Sequence, residues 1–203
     1  MNTLQYPLHY LDFETFNPAV PMFDGTWPYQ IIPFQFSLHV VDDEKSEPEH
    51  YSFLAEGTED PRPNLLSELR KEIMDTGSIV VYNKAFEIGI LSDLADAFPE
   101  YQIWIEDVLG RIVDLLVPFR SFHYYHPLQR GSASLKSVLP AVTGKGYESI
   151  EIADGETASI AFQQITYGNV PEEKMNKVKE DLEKYCGMDT EGMIWIMDKL
   201  QGL

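Results

Sequence analysis

A chain of 203 residues is long enough to bury one core, and its 44% hydrophobic and 12% aromatic content excludes a disordered polymer. A single cysteine, Cys186, excludes a disulfide framework, and no amino-terminal apolar run reads as a signal peptide or membrane span, so a cytoplasmic protein is expected. Acidic residues outnumber basic ones 33 to 15, giving a formal net charge of −18 that works against polyanionic partners.

The first predicted element is a strand over Leu8 to Glu14, rich in aromatic and aliphatic residues and preceded by Pro7. Period-two alternation places Leu8, Tyr10, Asp12 and Glu14 on one face and His9, Leu11 and Phe13 on the other, so the two acids project side by side. The stretch from Phe16 to Pro33 is crowded with proline, at positions 18, 21, 28 and 33, and reads as a structured loop next to those acids. A strand over Phe34 to Val41, a turn over Asp42 to Pro48 and a strand near Tyr51 to Leu54 complete a meander. A helix from Pro63 to Asp75 stops before Gly77, and Ile79 to Tyr82 is a short buried strand. The helix that starts near Lys84 carries a stripe of Glu87, Ile90, Leu91, Leu94 and Phe98. Ile112 to Val117 reads as the last strand. Ser134 is placed to cap a helix through Val142, Gly155 to Tyr167 forms another, and Pro171 opens the final one. In that final helix Met175, Val178, Leu182, Tyr185, Asp189, Met193, Ile196 and Leu200 follow steps of three and four. Asp189 is the one charge in the stripe, and Tyr185 lies one turn before it. Three strands in sequence followed by alternating helix and strand imply one α/β domain without repeats, spanning 1–203.

Four carboxylates, Asp12, Glu14, Glu87 and Asp189, thus occupy seats that the pattern reserves for core residues. A buried unpaired carboxylate costs several kcal/mol or becomes neutral, and no Lys or Arg lies in these stripes. A divalent cation is the economical partner, and oxygen ligands point to Mg²⁺ or Mn²⁺ rather than zinc. Two further Asp-x-Glu runs, Asp42-Asp43-Glu44 and Asp154-Gly155-Glu156, lie in polar, turn-like surroundings and read as solvated loops. Cys186, mid-helix with no nearby His, reads as a small packing residue, and His123 with His126 is too few ligands for zinc. From Arg111 to Tyr147 five basic residues stand against the single acid Asp114, a local +4, interleaved with Phe119, Phe122, Tyr124 and Tyr125. Such a segment suits a single strand of nucleic acid, with Arg120 and Arg130 on phosphates and Tyr124 under a base; a packed surface loop is the other reading.

Asp12-x-Glu14, Asn83-x-x-Phe86-Glu87 and Tyr185-x-x-x-Asp189 resemble the three motifs of the DEDD superfamily of 3′–5′ exonucleases, in its tyrosine-type branch. Tyr10-Leu11-Asp12-Phe13-Glu14-Thr15, the stretch from Gly25 to His39 and Tyr82-Asn83-x-x-Phe86-Glu87 resemble more closely a bacterial family named for its domain of unknown function, DUF2779. The superfamily's middle motif ends in Asp, and this chain has Glu87 there.

The resemblance implies a ribonuclease-H-like fold, a central mixed five-stranded sheet flanked by helices. It implies two Mg²⁺ or Mn²⁺ ions held by Asp12, Glu14, Glu87 and Asp189, with Tyr185 orienting the attacking water. Thr15, Asn83 and Phe86 would hold or wedge a single-stranded 3′ end, and a nucleoside monophosphate would leave. Two rival expectations stand beside this one: a degenerate nuclease that binds nucleic acid or a protein partner without cutting, and a structural domain whose acids are merely hydrogen-bonded. The domain reads as a piece of a longer polypeptide with another nuclease-like domain.

Overall fold

The computed structural model describes residues 4–147 and 150–202. Five strands, β1 (Leu8–Phe16), β2 (Ile32–Val41), β3 (Glu49–Leu54), β4 (Ser78–Val81) and β5 (Ile112–Asp114), form one sheet. Their order is β3-β2-β1-β4-β5. The first three strands pair antiparallel, and β4 and β5 add in parallel to the other side of β1. The sheet is therefore mixed and five-stranded, as the resemblance implies, with β1 at its centre.

The two faces of β1 build two cores. Leu11 and Phe13 pack with Phe36, Leu38, Ile79 and Val81 beneath α1 (Arg62–Glu72), α2 (Lys84–Ala97) and α3 (Gln102–Gly110). On the other face, Leu8, Tyr10 and Val80 meet α5 (Leu135–Thr143) and the second half of α7 (Glu172–Gln201). A third cluster lies beyond the end of β1, where Phe16, Ile32 and Phe34 meet α6 (Gly155–Tyr167). A bulge makes it possible. Glu14 pairs with Gln35 but Thr15 pairs with Pro33, so Phe34 is an extra residue and the strand's alternation flips. Ile32 then shares a face with Phe16, and Phe34 stacks on Phe162 with ring centroids 3.9 Å apart.

Several boundaries differ from the expected ones. The expected strand over 112–117 ends at Asp114, because its carboxylate accepts the backbone N–H groups of Asn83 at 3.2 Å and Leu116 at 2.9 Å. The chain turns there into the short helix α4 (Val117–Arg120). Helix α3 has no counterpart in the sequence reading; its Ile103 is 84% exposed and blurs the apolar stripe. Ser134 does sit at the start of α5, but its hydroxyl donates to Ser137 rather than capping a backbone N–H. Pro171 stands just before α7, and the helix begins at Glu172. Gly77 is required by a close approach: with φ +91°, any Cβ there would lie 2.0 Å from the Pro7 carbonyl oxygen. Among the described residues no helix is long and apolar enough to cross a membrane.

Candidate active site

The carboxylates gather where β1 runs out from under its covering helices. Asp12 and Glu14 point to the same face, and α7 crosses that face and sets Tyr185 and Asp189 opposite them. The N-terminus of α6 closes the third side, with Gly155 against Glu14: a Cβ there would lie 3.5 Å from Glu14 Oε2. Together they enclose a cleft of about 640 Å³, lined by Asp12, Glu14, Thr15, Phe86, Tyr185 and Asp189. Ile31, Glu156, Ser159, Ile160 and Gln163 complete its outer wall.

Glu87 lies behind that cleft rather than on its surface. It projects from the first turn of α2, is 1% exposed, and its Oε2 has no hydrogen-bond partner among the described residues. Buried atoms of this kind are rare in folded proteins and call for a proton or a cation. Its neighbours reinforce the demand. Burial, with Glu14 nearby, raises the Glu87 carboxyl well above its ordinary range. Burial first, then Asp189, Glu87 and Glu14, raises Asp12 well above its range too. Glu14 is pushed up to about 8 by burial and by Asp189, against the pull of Lys136. Burial pushes Asp189 up to about 6, while Tyr147, Lys136 and Tyr185 hold it down. Burial raises all four carboxyls, and repulsion from neighbouring acids adds to it at Asp12, Glu14 and Glu87.

The ligand atoms that approach most closely are those of Asp12, Glu14 and Cys186, all within 4.8 Å of one another. The Cys186 thiol lies 3.7 Å from Asp12 Oδ2, and burial followed by the surrounding acids raises it far above the usual thiol range. It therefore remains protonated and donates weakly to Asp12. Asp189 carries a partner that the sequence reading missed, since its Oδ1 accepts the hydroxyl of Tyr147. Tyr147 lies 42 residues upstream on a loop, and no periodicity links the two. Lys136 is a second omission. Its ammonium sits 4.6 Å from the centroid of the Tyr185 ring and 5.7 Å from that of Tyr147. The inner wall of α6 is a third, because Asp154-Gly155-Glu156, expected to be a solvated loop, opens this helix at the cleft. Asp154 caps it by accepting the Thr157 N–H at 2.8 Å.

The remaining candidates divide. Thr15 and Phe86 line the cleft, and Phe86 is 37% exposed. Asn83 sits at the start of α2 with φ +83° and lines a separate hollow of about 370 Å³ with Tyr82, Arg120 and Ser134. Arg130 is exposed on the loop beyond it. Tyr124 is not a free platform: its ring packs edge-on against Phe119 at 5.8 Å and joins the core under α5 and α7. The exposed pair is Phe122 and Tyr125, with centroids 5.9 Å apart.

In this α/β domain the central strand and the last helix bring Asp12, Glu14 and Asp189 to one cleft, with Glu87 of α2 buried behind it. The chain belongs to the DUF2779 family, described as a domain of unknown function, whose model matches residues 9–134. That match holds the Asp12, Glu14 and Glu87 motifs. The chain is also 28% identical over 210 residues to the uncharacterized MG366 homolog of Mycoplasma pneumoniae, covering 92% of this chain and 31% of that protein. It is 25% identical to the uncharacterized protein MG366 of Mycoplasma genitalium, covering 100% of this chain and 33% of the relative. The uncharacterized protein UU173 of Ureaplasma parvum is 23% identical, with 91% and 30% covered. The chain thus spans about a third of the length of the curated relatives it matches.

Proposed function

We propose that this domain is a metal-dependent 3′–5′ exonuclease of the DEDD type, tyrosine branch, on a ribonuclease-H-like fold. One observation carries the reading: Asp12, Glu14, Tyr185 and Asp189 face one cleft while Glu87 brings an unpartnered buried oxygen up behind them. The strand order, three antiparallel followed by two parallel, supports the fold assignment. The donor set fits Mg²⁺ or Mn²⁺, with Asp12, Glu14, Glu87 and Asp189 as the holding residues. Bound there, two such ions supply the acidity that activates water and the charge that stabilises a leaving oxygen. The chain's own residues do the rest. Burial holds the Tyr185 phenol neutral, so its hydroxyl can orient the attacking water as a hydrogen-bond partner without giving up its proton. Tyr147 fixes the rotamer of Asp189. Phe86, Ile31 and Ile160 offer an apolar wall to the terminal base, which keeps the strand end against the acids. Substrate is then a single-stranded 3′ end; in relatives about three times as long, the remaining two thirds of the chain could supply further basic surface.

A second reading is favoured by Glu87 itself, which is withdrawn from the cleft lining: a nuclease-fold module that binds without cutting. The two separate in one assay. With Mn²⁺, a 5′-labelled oligonucleotide should shorten stepwise from its 3′ end, EDTA should stop the reaction, and Asp12→Ala should fall to background. Activity seen in Glu87→Asp and absent from the wild type would establish the binding module. No cleavage of DNA or RNA by either form would overturn the exonuclease.

A further inference from the structure

Among the described residues the wall of the cleft contains no Lys or Arg, although a protein cation at its rim would add to the attraction of a phosphodiester brought beside four acids. The five basic residues between Arg111 and Tyr147 differ in what holds them. Arg111 is bound to Asp107 and to the carbonyls of Met74, Thr76 and Gly77. Lys145 sits 3.6 Å from the centroid of the Trp195 ring. Arg120 lines the separate Asn83 hollow, and Arg130 is exposed on the loop beyond it. Lys136 alone of the five is directed at the cleft.

Its placement is specific. Lys136 stands on the first turn of α5, half-exposed, and its ammonium lies over the phenol ring of Tyr185 and beside that of Tyr147. It donates to the Ala153 carbonyl, just before the α6 cap. An ammonium has three donors, and this bond uses one. Among the described residues no carboxylate comes within ion-pair distance of it, yet Lys136 pulls both Glu14 and Asp189 downward, so its field reaches both sides of the cleft. Cation–π contacts hold the charge at the rim without neutralising it. A full ion pair would have cancelled it.

We propose that Lys136 is the residue of this domain that grips the terminal phosphodiester, donating its two free N–H groups to the phosphate oxygens at the rim between Tyr185 and Asp154. The proposal rests on the exonuclease reading for the identity of its ligand. It makes Lys136 a substrate-binding residue and moves the principal phosphate contact from Arg120 and Arg130 to α5.

The test is binding rather than turnover. The probe is a fluorescein-labelled single-stranded oligonucleotide, in DNA and RNA versions, titrated by anisotropy in Ca²⁺ over a range of salt concentrations. Lys136→Gln should weaken binding on the order of tenfold and flatten the log–log salt slope by about 0.7, the value of one phosphate contact on a single strand. Lys136→Arg, which keeps the charge, should restore most of the affinity. A thermal melt of each variant reports the alternative, that Lys136 only ties α5 to the loop before α6. Wild-type affinity and slope in Lys136→Gln, with or without a lower melting temperature, would overturn the proposal and leave the exonuclease reading standing. No binding of either oligonucleotide by the wild type would overturn both.

Discussion

Glu14 shows how a single residue can work against the fold that holds it. Its carboxyl rises from an ordinary value near 4.5 to about 8, so the folded protein prefers the neutral form and the unfolded chain prefers the charged one. A group whose folded pKa is raised contributes stability below its unfolded pKa and loses it as pH climbs to the folded value. In EDTA, the domain should therefore become less stable between pH 4.5 and 8. Glu14→Gln, a neutral isostere, should raise the melting temperature at pH 8 by several degrees, the equivalent of a few kcal/mol, and leave it unchanged at pH 4. Mn²⁺ should rescue the wild type at pH 8 far more than the variant. Equal stability of the two proteins at pH 8 without metal would remove the repulsion on which the candidate site is argued. Asp12, Glu14, Tyr185 and Asp189 were legible in the sequence because each occupies a fixed phase of a strand or helix. Lys136 and Tyr147 were not, since they reach the site from a helix and a loop whose own patterns say nothing about where they dock.

At the scale of elements, α7 is joined to the sheet by a polar seam as well as by its apolar stripe. Thr190 Oγ1 lies 2.7 Å from Ser37 Oγ and 2.8 Å from His39 Nδ1, and Ser37 reaches His50 Nε2 at 2.9 Å. The two imidazoles stack with centroids 4.2 Å apart. Burial, then His50, pushes His39 down to about 4. A depressed histidine stabilises the fold above its unfolded pKa of 6.5 and loses that contribution as pH falls towards 4, here up to about 3 kcal/mol. His39→Gln should therefore flatten the acid limb of a stability–pH curve, while Thr190→Val, which strands His39 Nδ1 and leaves Ser37 with His50 alone, should cost about 1–3 kcal/mol at neutral pH. An acid limb of wild-type steepness in His39→Gln would assign it to other groups. Period two marked β1 and period 3.6 marked α7, so these central elements could be read directly. The bulge opposite Glu14 could not be, because it depends on which residue of β1 each residue of β2 meets. Nor could the early end of β5, which a side chain from that strand imposes by taking the backbone N–H groups of Asn83 and Leu116.

On the scale of the whole molecule, a net charge of −18 must be reconciled with the polyanionic ligand proposed above. The exposed loop after α4 is where the domain is least acidic, and its surface separates residues that look alike in sequence. Tyr124 faces inward on Phe119, whereas Phe122 and Tyr125 are 71% and 46% exposed and lie together. Arg120 lies between this pair and the Asn83 hollow, lining both a pocket with Phe122 and Tyr125 and the hollow with Tyr82 and Asn83. If a strand end enters the cleft at Phe86, the nucleotides behind it can pass Asn83 and Arg120 to reach the two exposed rings. Phe122→Ala and Tyr125→Ala should each weaken binding of a longer oligonucleotide by roughly 1–3 kcal/mol of stacking without lowering the melting temperature. Tyr124→Ala should do the reverse, destabilising the edge of the core by about 1–3 kcal/mol, with binding unchanged at temperatures where it is folded. Arg120→Ala should flatten the salt slope by about 0.7 for an oligonucleotide long enough to reach it and leave a dinucleotide unaffected. The length dependence is decisive. A trinucleotide that binds as tightly as a twelve-mer would confine recognition to the cleft and leave the aromatic pair outside the path of the strand.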